Sequence, residues 1–551
     1  MTRALAITLC VVFFLAGLSL IPLLGIQNDE ALFAYGVFRP RAGAYMLYFG
    51  AIEVPLMMMS YVGALKSWIY LPVFALFGTG VWSVRVPMLL AGAAGVWLFY
   101  VFLCRAAGER AAVAGCALLA VDASYLLTAT FDWGPVALQH LLVVGALVLL
   151  ARFWQQRQEW ALAAGFLVFG LALWDKASAI WSLAGLALGS VAVLPREIPR
   201  ALTARRVVVA ALAFILGTMP LIAYNVRSRA QTFHDTVAGE TGGIGPKARV
   251  LTRTADGSLL FGWLLNGDAP APHPSEPYTA LERVSAAGAS LTGNPKSNLM
   301  LYAFGAALLL APLASGHDRR AIQFALIAMA AIWTQMALTR NAGAGAHHAI
   351  LLWPLPQMVI AVSFAAASRR LGRAGKPALA AALAILMTSQ LAVLNEYRVL
   401  MTRNGGAVNW TDAIDSLSSY LKTAPAREIY CVDWGLLAGL HLLSRGQLPL
   451  VVGWEELGKA EWTLADRARI TAMVAQPGAI FLGHTADLEL FHGFAARLEK
   501  FAESLGYRRD LLTVIADRHG RPTFEVYRFV AGTRDGAVST APSPGQTSNG
   551  R

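Results

Sequence analysis

Over its first 395 residues the chain alternates long apolar runs with short polar connections. Eleven runs stand out, at 4–24, 84–104, 111–128, 135–151, 160–174, 177–194, 207–224, 299–314, 321–338, 348–367 and 377–395. About 20 helical residues cross about 30 Å of hydrocarbon, so the pattern predicts roughly eleven membrane-spanning helices. The first run follows only Met1-Thr2-Arg3. It is longer than the apolar part of a secretory leader and ends without a small-residue cleavage pattern, so it is expected to remain as a helix with a cytoplasmic N-terminus. Two longer polar segments interrupt the series, at 25–83 and 225–298.

The pattern changes after Asn395. Short β-rich runs at 428–432, 448–452, 479–482, 511–516 and 523–530 alternate with helical stretches at 464–475 and 488–505. This alternation predicts a small α/β domain over 396–530, with the last two strands joined by a hairpin turn at Arg518-His519-Gly520-Arg521. The segment 531–551 is rich in Gly, Ser, Thr and Pro and is expected to be a disordered tail. The expected fold class is thus an α-helical polytopic membrane protein, residues 1–395, followed by a C-terminal soluble α/β domain.

Composition excludes the alternative of a water-soluble chain: 56% of the 551 residues are hydrophobic and 14% charged, and the mean hydropathy is +0.53. The net charge of +12 would point to nucleic acid in a soluble protein. Here the positions of the charges decide. Alternate short connections collect Arg105 and Arg110; Arg152 and Arg157; Arg196, Arg200, Arg205 and Arg206; Arg319 and Arg320; and Arg369, Arg370, Arg373 and Lys376. The intervening short turns hold only Lys176 and Arg340, so the basic set marks the cytoplasmic side. Four cysteines, three of them in apolar runs, support neither a disulfide framework nor a paired-cysteine metal site.

Ionisable residues at span ends are functional candidates, because charge beside hydrocarbon is costly. On this topology Asp29, Glu30, Asp132, Lys176, Arg227, Arg229, His234, Asp235, His347 and His348 share the outer side. Asn28-Asp29-Glu30 suits both a helix start and a carboxylate positioned to take a proton from a hydroxyl. Asp132 stands in the tight turn Phe131-Asp132-Trp133-Gly134-Pro135, where it serves a turn or orients a hydroxyl. Lys176, in a near-loopless turn, suits either a snorkelling amine or a phosphate ligand. Arg227, Arg229, His347 and His348 would add to an anion site, with lipid headgroups the competing reading for the arginines. Asp122, deeper in the third run, is a weaker candidate that also suits an interhelical hydrogen bond. The run Gly239 to Lys247 lacks the ending of a phosphate-binding loop and reads as a flexible lid.

These residues resemble the GT-C membrane glycosyltransferases, above all the protein O-mannosyltransferase and aminoarabinose transferase group. Asp29-Glu30-Ala31-Leu32-Phe33 is similar to that group's acidic motif in the first outer loop, and Phe131-Asp132-Trp133-Gly134-Pro135 stands in the place of its second acid. Tyr61 to Trp68 and Arg85-Val86-Pro87 resemble its first-loop segment and second-span start. His347-His348 and Trp353-Pro354 depart from the group's pattern before the tenth span, which leaves the acceptor open.

The resemblance implies transfer of a sugar from a polyprenyl-phosphate donor to an acceptor hydroxyl (lipid, glycan or protein) at the outer face, with inversion. It implies Asp29 as base, Glu30 and Asp132 as orienting groups, and Lys176 with Arg227, Arg229, His347 or His348 against the leaving phosphate. No cofactor is required on this reading, no metal ligand is assigned, and a divalent cation is compatible with it. High Ala, Gly and Arg content and the arrangement of the motifs suggest a bacterial inner membrane with the C-terminal domain in the periplasm, and no nucleic-acid partner is expected. A polytopic transporter or lipid flippase is the alternative from another class, and a non-catalytic assembly partner a third.

Overall fold

The computed structural model describes residues 2–38, 44–50, 52–239, 242–265 and 270–532. Helices occupy all eleven apolar runs. Among the described residues seven are long and apolar enough to cross a membrane by themselves, including Thr2–Leu23, Val81–Ala106, Val136–Gln156, Ala204–Arg227 and Gly316–Leu338. The pair Glu109–Ala120 and Ala123–Thr130 is long and apolar enough only when taken together, and it is bent by 59°. The remaining three are the shorter helices Glu159–Asp175, Ala179–Val193 and Met300–Leu310. The chain is a multi-pass helical membrane protein. Its outward-facing side chains agree: Leu212, Ile215, Leu216 and Met219 on Ala204–Arg227 are all exposed, a surface that water would penalise and lipid does not.

The third run was expected to be continuous and is not. Asp122 interrupts it by capping the second half, accepting from the Tyr125 N–H at 2.9 Å. The same carboxylate accepts from Trp353 Nε1 (3.1 Å) and Gln357 Nε2 (2.8 Å), so it joins helices remote in sequence. The interhelical reading of Asp122 therefore accounts for its contacts.

The first outer segment, unassigned from sequence, folds into a three-stranded antiparallel meander, Tyr45–Phe49, Ile52–Met59 and Val62–Gly63, followed by the apolar helix Leu65–Phe77. The stretch read as a lid also departs from expectation. Residues 240 and 241 lie outside the described residues, but Gly243 opens the helix Ile244–Ala255. Lys247 on that helix is buried and donates to the carbonyls of Ala337 (3.1 Å) and Thr339 (2.7 Å). Those contacts anchor the segment to the end of Gly316–Leu338.

By contacts the chain divides into two units, the first comprising Met1–Thr423, Gly435–Leu448 and Ala516–Thr523, the second Ala424–Trp434, Pro449–Ile515 and Phe524–Arg551. The C-terminal sheet has five strands in the order Leu450–Val452, Glu428–Cys431, Ala479–His484, Pro522–Ala531, Tyr507–Ala516. Its first three strands are parallel and the last two are added antiparallel. Leu464–Ala475 and Phe494–Ser504 pack on it over a core that includes Val432, Ile470, Phe481, Leu498 and Tyr527. The tail expected from residue 531 lies, beyond 532, outside the described residues.

One buried ion pair ties the first outer segment to the helical bundle. Arg85, 1% exposed at the start of Val81–Ala106, meets Glu30, 0% exposed, through two contacts of 2.8 and 2.9 Å. Its remaining N–H groups reach the carbonyls of Ile21 (2.7 Å), Leu24 (2.8 Å) and Gly25 (2.6 Å), which closes the end of the first span. Removing one member of such a pair strands a buried charge, at a cost of about 3–5 kcal/mol. Arg85→Met is therefore expected to lower the apparent unfolding temperature in detergent by several degrees. Glu30→Gln in the same chain should recover only part of the loss, because the three carbonyls stay unpartnered; full recovery in a thermal-shift assay would show that the ion pair alone matters.

Candidate active site

Asp29 and Glu30 are sequence neighbours with different surroundings. The helix Asn28–Leu32 is capped by Gln27, whose side chain accepts from the Asp29 N–H (2.6 Å) and the Glu30 N–H (3.1 Å). The expected cap, Asn28, is instead the first helical residue; it accepts from the Ala438 N–H and donates to Asp29 Oδ1 at 3.3 Å. The helix ends at Leu32 and is followed by a 3₁₀ turn, Tyr35–Val37. Glu30 is consumed by Arg85 and by the cap. Asp29 is half-buried, and among the described residues its carboxylate makes one long hydrogen bond, from Asn28. Burial raises its pKa, against the opposing pull of Asn28 and the Lys176 charge.

Asp132 is 1% exposed and both its oxygens are engaged. Oδ1 accepts from the N–H groups of Val136 (2.6 Å) and Ala137 (3.1 Å), opening the helix Val136–Gln156. Oδ2 accepts from Lys66 Nζ at 2.8 Å, and the same ammonium donates to the Asp132 carbonyl at 3.0 Å. Lys66 stands in the first turn of Leu65–Phe77. This second buried pair locks the first outer segment against the turn that carries Asp132.

Lys176 lies between the helices Glu159–Asp175 and Ala179–Val193, in extended conformation, and bridges to Val62 at the edge of the meander. The Ala177 N–H donates to the Tyr61 carbonyl at 2.9 Å. Gly63 permits the approach: a Cβ there would sit 2.1 Å from the Trp174 carbonyl oxygen. The ammonium makes one long contact, 3.4 Å to the Gly134 carbonyl. A Cβ on Gly134 would lie 3.3 Å from Lys176 Nζ and 3.3 Å from His347, so these three residues share one spot. Burial pushes the Lys176 pKa down to about 8, although Asp175, Asp132 and Asp29 all favour the charged form.

Aromatic rings wall this region. Trp133 donates through Nε1 to His347 Nδ1 (3.1 Å), and its ring lies 5.5 Å from Trp410. The His347 and His348 rings are 4.1 Å apart. Tyr61, on the turn before Val62, feels Asp29 and Asp235, which together with burial raise its pKa.

The sequence-derived candidates thus divide. Asp29, Asp132, Lys176 and His347, with His348 beside it, gather at one end of the bundle. Glu30 belongs to the supporting pair next to Asp29. Arg227 lays its guanidinium over the Tyr45 ring at 5.3 Å, and Arg229 is exposed at a positive φ of 53°. Among the described residues neither arginine makes an ion pair or hydrogen bond with Asp29 or Lys176. His234 is exposed, and Asp235 accepts from Ser60 Oγ (2.5 Å) and Gln231 (2.8 Å). Sequence reasoning quoted Lys66 within a motif but missed its ionic role, although a lysine isolated in an apolar stretch is itself a signal. Tyr61 carries no such signal. Among the described residues no three His, Cys, Asp or Glu side chains converge as metal ligands.

Comparison with known proteins concerns the fold and one stretch of the sequence. Residues 63–224 match the family model described as dolichyl-phosphate-mannose-protein mannosyltransferase, a region that includes Lys66, Arg85, Asp132 and Lys176. Among solved structures, the chain is similar to ArnT from Cupriavidus metallidurans bound to undecaprenyl phosphate, with a TM-score of 0.58 and 13% identity, over 95% of this chain and 97% of that one. The apo state of the same protein gives a TM-score of 0.57 at 14% identity, with the same coverage. No curated protein matches the sequence significantly. The resemblance read from the motifs is thereby borne out: the chain has the fold seen in the ArnT structures, and residues 63–224 match the mannosyltransferase family model.

Proposed function

We propose that the protein is a membrane glycosyltransferase that passes a sugar from a polyprenyl-phosphate donor to an acceptor hydroxyl at the periplasmic face of a bacterial inner membrane, with its N-terminus in the cytoplasm. The observation that carries this reading is the meeting of a carboxylate with spare acceptor capacity, Asp29, and an ammonium with spare donor capacity, Lys176, at one end of an ArnT-like bundle. The neighbour's bound undecaprenyl phosphate supports a lipid-phosphate ligand. A donor with a long hydrocarbon tail belongs in the bilayer, so its phosphate and sugar meet the protein at a span-end site of this kind.

In this mechanism Asp29 takes the proton of the acceptor hydroxyl as its oxygen attacks the anomeric carbon. The bond from that carbon to the phosphate oxygen breaks, and the oxygen leaves with the electron pair. Lys176 stabilises the charge that grows on the phosphate, in a site where low water content strengthens the interaction. One displacement inverts the anomeric centre. Asp132 and Glu30 act by position: Asp132 with Lys66 holds the Gly134 turn against Lys176, and Glu30 with Arg85 holds the helix that presents Asp29. His347 lines the phosphate side. Arg227 and Arg229 are left to lipid headgroups. Lys176 supplies the positive charge this scheme needs, and no step is routed through a metal.

Asp29→Asn should fold normally and lose transfer by at least about 100-fold, the scale of general-base catalysis. The check is incubation of purified protein with labelled polyprenyl-phosphate sugars and envelope-derived acceptors, and full activity of that variant would exclude Asp29 as base. The pH profile offers a second test. Asp29 must be ionised and Lys176 protonated, so kcat/KM should rise on the acid side as Asp29, whose pKa burial raises, loses its proton. It should fall again above a pH near the Lys176 value of about 8. Lys176→Arg should remove the alkaline fall, since guanidinium stays charged there; an unmoved alkaline limb would assign it to another group.

A further inference from the structure

The turn that carries Lys176 holds more hydrogen-bonding capacity than the protein uses. Asp175, the last residue of Glu159–Asp175, is 0% exposed, and among the described residues neither of its carboxyl oxygens has a hydrogen-bond partner. Ser178 occupies the N-cap of Ala179–Val193, where a serine ordinarily accepts from the helix, yet it makes no capping bond and its buried hydroxyl has no partner. Gln139, 1% exposed, donates its amide N–H towards the Lys176 carbonyl at 3.4 Å and leaves Oε1 buried without a donor. His348 Nδ1 is a fourth such atom.

Buried polar atoms without partners are few in native proteins and costly. Two of these residues flank Lys176 in sequence and Gln139 reaches its carbonyl, so a bound ligand is the natural source of the missing partners. Carboxylate and amide oxygens accept only, which requires a ligand that donates. The ionised phosphodiester of a lipid-linked sugar has no such groups to give. A sugar has several.

We propose that Asp175, Gln139 and Ser178 form the subsite for the donor's glycosyl group, accepting hydrogen bonds from its hydroxyl or amino groups while Lys176 faces the phosphate. This rests on the lipid-linked-sugar reading and adds to it the residues that select the sugar. A hydroxyl and an amino group share the donor chemistry, and an amino group would also bring the charge opposite to that of Asp175.

The experiment measures binding of three lipids to the purified full chain in detergent: undecaprenyl phosphate, the same lipid bearing mannose, and the same lipid bearing an aminopentose. The wild-type chain is expected to bind one sugar-bearing lipid about tenfold or more tighter than undecaprenyl phosphate, the scale of a hydrogen bond to a charged group. Preference for the aminopentose would identify an amino partner, and preference for mannose a hydroxyl. Asp175→Asn should abolish that preference and, because Asp175 also favours the charged form of Lys176, should weaken undecaprenyl phosphate binding by a smaller factor. Ser178→Ala, which removes one atom, should reduce it by a few-fold and provides the test if Asp175→Asn does not fold. Equal loss for all three lipids, no loss in either variant, or no sugar preference in the wild type would each overturn the subsite. Failure of the wild type to bind any of the three would defeat the broader reading instead.

Discussion

Two buried ion pairs set one end of this bundle. Arg85 with Glu30 and Lys66 with Asp132 each join the segment 25–83 to a span that follows it, and all four residues are at most 1% exposed. Burying a charge is tolerable only where geometry and further hydrogen bonds complete it. Both pairs meet that demand: Arg85 by three main-chain carbonyls, Asp132 by capping a helix. Neither pair can shift without stranding a charge, so the short helix bearing Asp29 and the turn bearing Gly134 are held by constraints that ordinary apolar packing, which is non-directional, does not supply.

The division of labour among the acids follows from this. Glu30 and Asp132 are rigid because they are satisfied, and a satisfied carboxylate has nothing left to offer a substrate. Asp29 projects from the same short helix as Glu30, with one long contact. Lys176 stands in a parallel position: its backbone is bridged to Val62 and its ammonium is hardly used. Fixed main chain with underused side chains is what preorganised chemistry asks of a site. Asp175, Gln139 and Ser178 extend that condition to the neighbouring turn.

Much of the scaffold was legible in sequence because hydrocarbon imposes a strict length and polarity rule. The eleven apolar runs are helices, and the strands of the C-terminal sheet fall within a few residues of the β-rich runs. The exceptions have local causes. Asp122 breaks the third run because a carboxylate that caps a helix cannot also lie inside one. The meander at 45–63 escaped notice because Met57, Met58 and Val62 are buried against neighbouring helices, so its strands lack a clean alternation of apolar and polar positions. The lid reading failed at Gly243 because the following turns are amphipathic and Lys247 finds carbonyls at a distant helix end.

The sequence by itself determined that the chain crosses a membrane many times, which span ends share a side, and that Asp29, Asp132, Lys176 and His347 are candidates. Those follow from solvation, which acts on each segment separately. Which carboxylate is spent and which is free was decided only by tertiary structure. Asp29 and Glu30 are adjacent and chemically alike, and what separates them is that Arg85, 55 residues beyond Glu30, reaches one of them. Pairing of charges depends on distance in space, and no pattern along the chain encodes it.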